Sequence, residues 1–151
     1  MFLSFRKTVM LTIIVMTILG LLLALSTIAV LGAPRGSSKV HVMNVGLYSD
    51  SACTIACDSI SWGCIDVGGV ATRTVYVKNL GSAAVALCMS VSDWSPRKSV
   101  SMLDLSWDLD GYLLPAGEVV PAVLTLELAS NTRDLADFSF VVVVTGTQLK
   151  R

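Results

Sequence analysis

Histidine occurs once in the chain, at position 41. That scarcity removes most hydrolytic chemistry at the outset. A Ser-His-Asp or Cys-His centre would have to be built on His41, and no Gly-x-Ser-x-Gly elbow accompanies it. No glycine-rich loop of phosphate-cradling spacing is present. Asn44, Asn79 and Asn131 all lack a hydroxyl residue two places on, so no N-glycosylation sequon exists. Charged residues make up only 15% of the 151 positions, while apolar residues make up 54%, a balance that excludes disorder. Acidic residues are missing altogether from positions 1–39, which hold Arg6, Lys7, Arg35 and Lys39. All eleven acids lie beyond, against seven basic residues, so positions 40–151 carry a net charge of −4. A mildly acidic domain has no electrostatic footprint for nucleic acid.

The longest feature is itself an absence of charge. Thr8–Leu31 holds 24 residues without one ionisable side chain. As a helix it would reach about 36 Å at ~1.5 Å per residue, enough to cross a ~30 Å hydrocarbon core. It is apolar all round, as lipid exposure requires. Secretory apolar regions are usually about 7–15 residues long, so this length favours an uncleaved anchor. Thr27-Ile28-Ala29 nevertheless supplies a small-residue cleavage site, and a cleaved signal segment is the alternative. A short basic N-terminus, residues 1–7, stays cytoplasmic by the positive-inside tendency, and the rest of the chain then goes outside. Residues 32–39, with Ala33-Pro34-Arg35-Gly36-Ser37-Ser38, read as a flexible linker.

Beyond Lys39 apolar residues alternate and no helical period is sustained, the signature of strands. The expected strands are Val40–Leu47, Ser59–Ile65, Ala71–Asn79, Ala84–Ser92, Ser101–Asp108, Val119–Leu128 and Phe138–Thr145. Alternation sets Val75 and Val77 on one face, with Leu124, Leu126 and Leu128, and Phe138, Phe140, Val142 and Val144, on others. Val141 and Val143 make the second face of the last strand apolar too, which places that strand centrally or beneath a partner. Turn chemistry separates the strands at Asp66-Val67-Gly68-Gly69, Asn79-Leu80-Gly81-Ser82, Asp108-Leu109-Asp110-Gly111 and Pro115-Ala116-Gly117. Seven short strands so punctuated predict an all-β, immunoglobulin-like antiparallel sandwich over residues 40–147, with a basic tail at 148–151.

Cys53, Cys57, Cys64 and Cys88 all fall in this domain. Outside the cell they are disulfide candidates, and of three connectivities the expected one is Cys53–Cys57 with Cys64–Cys88. The alternatives are free thiols or a Cys₄ metal site, for which only Cys53-x₃-Cys57 has the spacing. Asp104, Asp108 and Asp110 are dense enough to consider calcium, but they lack the ligand spacing of an EF-hand, and Asp110-Gly111 reads as a turn. Trp62 and Trp107 fall at strand positions and read as core; Trp94, before Ser95-Pro96, reads as the most exposed of the three.

The strings VGLYSDSACT, ISWG, GGVATRTVYVKNLGSAAVALCMSVSDW, LSWDLDG, LPAGEVVPAVLTLEL and FSFVVVVTGT resemble a group of small archaeal surface proteins. Each of those has an N-terminal apolar segment and one immunoglobulin-like domain; the strings VYVKNLGSAAVALCMSV and LPAGEVVPAVLTLEL are also similar to ASH-like and NEW3-like extracellular modules. The resemblance spans about residues 45–147 and rests on strand and turn patterns. It implies fold and exported location, carries over no catalytic residue, and makes the cysteine bridges a local addition.

The expected protein is therefore not an enzyme and needs no cofactor. It is a membrane-anchored extracytoplasmic sandwich with a structural or protein-interaction role, touching lipid through its N-terminal segment and either an unknown protein or another copy of itself. Two other expectations stand beside it. One is a secreted filament subunit that donates Val40–Leu47 to a neighbour after cleavage near Ala29. The other is a cysteine-based metal or redox domain.

Overall fold

The computed structural model describes residues 33–132 and 135–149. The expected membrane segment Thr8–Leu31 lies outside them, and no helix among the described residues is long and apolar enough to cross a membrane. What is described is all-β: nine strands and one 3-10 turn, Arg97–Ser101. The strands are β1 (Arg35–Met43), β2 (Val45–Tyr48), β3 (Ser59–Cys64), β4 (Val70–Asn79), β5 (Val85–Ser95), β6 (Leu103–Trp107), β7 (Leu113–Leu114), β8 (Val119–Leu128) and β9 (Asp137–Gln148). They form a sandwich of two sheets, ordered β3-β1-β9-β5-β7 and β2-β4-β8-β6.

The alternation in sequence becomes the core. Val75 and Val77 of β4, Leu124, Leu126 and Leu128 of β8, and Phe138, Phe140, Val142 and Val144 of β9 are buried, and they meet Val85 and Leu87 of β5. Apolar area removed from water at these inner faces is the main favourable contribution to folding. An aromatic group anchors one end: Trp62, Trp94 and Phe138 surround Phe140, with ring centroids 6.0, 4.5 and 6.2 Å away. Trp94, expected to be exposed, is thus half-buried against Phe140. As its two apolar faces indicate, β9 is central, flanked by β1 and β5.

Two expectations change. Residues 32–39 are not a linker throughout, because β1 starts at Arg35 and runs parallel to β9 from Arg35↔Asp137 to Met43↔Thr145. The inward positions there are Gly36 and Ser38, which give no apolar period to read. Gly36 lies so close to the Phe138 ring that an added Cβ would sit 2.0 Å from it, and Ser38, buried, accepts the Trp62 indole N–H at 3.1 Å. The expected single strand Val40–Leu47 is also broken in two. Asn44 adopts φ 64°, the left-handed region that asparagine tolerates better than most residues. Its side-chain amide donates to the Gly146 carbonyl at 3.1 Å. The chain thereby leaves the first sheet and enters the second as β2.

Pro121 sits in β8 opposite Tyr76 of β4. On its other side β6 has already ended, since Trp107 pairs with Leu124. The missing N–H therefore breaks no ladder bond. Past that point Asp108 substitutes for β6 main chain, its carboxylate accepting the Val123 amide at 2.8 Å.

Candidate functional site

The strand directions define two ends of the sandwich. One holds Arg35 and the start of the described chain; the other holds the β1–β2 crossover at Asn44, the turns 80–84 and 115–118, and the end of β9. This second end, the distal tip, is held by one residue that the sequence reading passed over. Asn79 is fully buried. Its Nδ2 donates to the Ala83 and Leu114 carbonyls at 2.8 and 3.0 Å, and its Oδ1 accepts the Gly81 amide at 2.9 Å. Its main chain takes Gly117 N–H and gives to Glu118 C=O, at 3.1 and 3.0 Å. One residue thus ties both turns, 80–84 through its side chain and 115–118 through its main chain. The available signal was Asn79-Leu80-Gly81, which reads as turn chemistry but not as a buried hub.

The tip exposes apolar side chains among polar ones such as Ser82, Thr147 and Gln148. Of the exposed large apolar residues, Val42, Met43, Leu80, Leu113, Val119 and Leu149 are at this end, with Leu80 61% and Met43 57% accessible. A groove lined by Asn44, Val45, Leu80, Gly81, Val85, Thr147 and Gln148 runs among them. The turns 80–84 and 115–118 carry one charge between them, Glu118. Singly scattered exposed apolar residues are ordinary, and this end carries six of them beside two turns with one charge.

The four cysteines do not converge. All are free thiols, with Cys57 buried and Cys64 and Cys88 exposed. The expected Cys64–Cys88 bridge does not fit the register. Cys64 lies beside Arg35, which faces Asp137, whereas Cys88 faces Thr145. Three inter-strand spacings and eight residues along β9 put them about 30 Å apart, against a Cα limit of ~7 Å for a disulfide. Cys53 occupies a turn at φ 54° and is not bonded to Cys57. Burial, and then the Asp58 charge, push the Cys57 thiol above its ordinary value, so it stays protonated and unreactive. Among the described residues no group of three His, Cys, Asp or Glu side chains comes together to hold a metal.

The loop between β2 and β3 is ordered by a carboxylate. Asp50 accepts the Ile55 amide at 2.8 Å, the Thr54 amide at 3.0 Å and the Thr54 hydroxyl at 2.8 Å. Hydrogen bonding, first from Ile55, holds its carboxyl below the usual aspartate value. Asp110-Gly111 is a turn, with Gly111 at φ 74° and the Tyr112 amide donating to Leu109 C=O. His41 is exposed on β1, its position in register with Val143. Trp62 is core; Trp107 is half-buried, and its indole N–H is enclosed without a partner. Arg73, also passed over, reaches across from β4 to donate to the Ser61 and Trp62 carbonyls of β3 at 2.8 and 3.0 Å, tying the two sheets along one flank.

Comparison with protein-family models and with curated proteins finds no match for this chain.

Proposed function

We propose that this is a membrane-anchored protein whose immunoglobulin-like domain stands outside the cell and presents its distal tip to another protein, in a structural and non-catalytic role. One observation carries the reading: the uncharged run ends at Leu31, and a folded strand begins four residues later, at Arg35. A segment long enough to span lipid thus leads almost directly into a sandwich. Topology supports the finer fold assignment. The sheet β2-β4-β8-β6 follows the A-B-E-D order of immunoglobulin domains, and β5 beside β9 follows C-F. The place of a final G strand, next to β9, is taken by β1. The resemblance to archaeal surface proteins with ASH-like or NEW3-like domains agrees with this arrangement.

A second reading is a secreted subunit assembling by strand donation. It is favoured by the same detail, a first strand filling the slot beside the last. The intact mass of the protein recovered from membranes and from medium separates the two. A chain beginning at Met1 or Phe2 in the membrane fraction supports the anchor; a start after Ala29 in the medium overturns it.

A further inference from the structure

The end of the sandwich that holds Arg35 carries a groove of about 400 Å³, whose lining includes Arg35, Ser37, Ser95, Pro96, Asp137 and Ser139. A row of hydroxyls crosses it. Ser37 of β1 is in register with Ser139 of β9, and Ser139 is in register with Ser95 of β5. Neighbouring strands lie about 4.8 Å apart, so three hydroxyls stand side by side. The alternate positions Gly36, Phe138 and Phe140 are buried, which turns the serines outward. One step nearer the end, Arg35 is in register with Asp137, and both are exposed. Among the described residues the three hydroxyls make no hydrogen bond, and Arg35 and Asp137 make no ion pair.

Chain length places this groove. Arg35 is four residues past Leu31, where the uncharged run ends. Four residues reach at most about 14 Å. A headgroup layer is roughly 5–8 Å deep, half the difference between the whole bilayer and its ~30 Å hydrocarbon core. With the run in lipid, Arg35 stays within reach of the headgroups. Two exposed apolar side chains share this end, Val67 in the turn before β4 and Val100 in the 3-10 turn after β5.

Charge decides the kind of headgroup. A guanidinium beside hydroxyl donors suits a phosphate. Asp137, in the same groove, opposes a bare anion. Asp66, Asp93, Asp104 and Glu127 at or near this end oppose it too, against Arg97 and Lys98. A phosphate that carries an ammonium on a short arm satisfies both sides of the groove.

We infer that this groove binds the headgroup of a zwitterionic aminophospholipid in the leaflet from which the domain emerges. Arg35 and the row Ser37, Ser139 and Ser95 hold the phosphate, and Asp137 holds the ammonium. The inference rests on the membrane-anchored reading and adds that the sandwich is pinned at its base.

The test uses the full chain in lipid discs of a phosphate-free galactolipid, with small equal amounts of phosphatidylethanolamine and phosphatidylglycerol. Native mass spectrometry counts the phospholipids that the released protein keeps. The parent should keep phosphatidylethanolamine in about threefold preference, the worth of one exposed charge pair. Arg35→Gln should lower retention of both lipids about tenfold, as for a lost charged hydrogen bond. Asp137→Asn should abolish the preference. Both substitutions are at exposed positions and should leave the urea midpoint unchanged. Equal retention by the parent and Arg35→Gln, or a parent that prefers phosphatidylglycerol, overturns the inference. A second arm separates lipid from free phosphate. The full chain in maltoside micelles is titrated with O-phosphoethanolamine or with inorganic phosphate, followed by the amide resonances of Ser37, Ser95 and Ser139. O-phosphoethanolamine should shift them at the lower concentration; the reverse order makes this a free-phosphate site and overturns the lipid assignment. The anchored reading fails separately, by an intact mass that starts after Ala29, whereas the groove fails by lipid counts on chains that begin at Met1 or Phe2.

Discussion

Replacing Asn79 by alanine tests whether a buried amide really governs the distal tip. The side chain is fully enclosed and makes three hydrogen bonds, to Ala83 C=O, Leu114 C=O and Gly81 N–H. Each is worth about 1 kcal/mol net, and leaving the Leu114 carbonyl without a donor in the interior adds roughly 1–2 kcal/mol. The expected loss is about 3–5 kcal/mol, a large part of the 5–15 kcal/mol typical of a domain. Urea unfolding followed by tryptophan fluorescence should show a lower midpoint at unchanged slope, and the melting temperature should fall by roughly 10–15 °C. Amide exchange should accelerate selectively at 80–84 and 115–118. Asn79→Asp should be worse, because a carboxylate cannot donate to the two carbonyls and a buried charge would be unpaired. A loss below about 1 kcal/mol for Asn79→Ala, or tip exchange rates equal to those of the parent, would refute the reasoning.

Other expectations follow from particular contacts. Gly36→Ala should destabilise by about 1–3 kcal/mol through overpacking against Phe138, measured by the urea midpoint; an unchanged midpoint would mean the ring can move aside. Cys64 and Cys88 should react with a polar maleimide at least about tenfold faster than Cys57, whose thiol is buried and held protonated, and equal rates would contradict that environment. The Asp50 carboxyl is depressed in the folded chain, so its contribution to stability is present above the ordinary value of 3.8 and is lost as pH falls through the lower folded value. Asp50→Ala should therefore lower the midpoint at neutral pH and flatten its decline in acid; parallel pH profiles for parent and variant would remove Asp50 from the account.

Strand positions were legible wherever one face was apolar and the other polar. Val119–Leu128 in β8 has the expected boundaries, because Leu124, Leu126 and Leu128 alternate with Thr125 and Glu127. The same rule failed at β1. Its inward residues at the start are Gly36 and Ser38, chosen for fit against Phe138 and Trp62, so hydrophobic periodicity is silent there. The break at Asn44 is a backbone event between two stretches that both read as strand. The two-residue β7 is too short to carry a period. Cys64 and Cys88 both fall in strands, but pairing distance depends on sheet order and register, which alternation does not encode. The tip was legible only as turns. That Asn79 is buried and that Leu80 shares a groove with Asn44 and Gln148 follows from three-dimensional convergence of segments far apart in sequence.

The central claim is that Thr8–Leu31 lies in lipid and the sandwich faces outward. Intact cells making the protein can be treated with a membrane-impermeant maleimide, washed, and their membranes extracted with alkaline carbonate. The account predicts full-length chain in the extracted pellet, labelled at Cys64 and Cys88 before any permeabilisation. Full-length chain in the soluble cytosolic fraction, labelled only after the cells are opened, would contradict it.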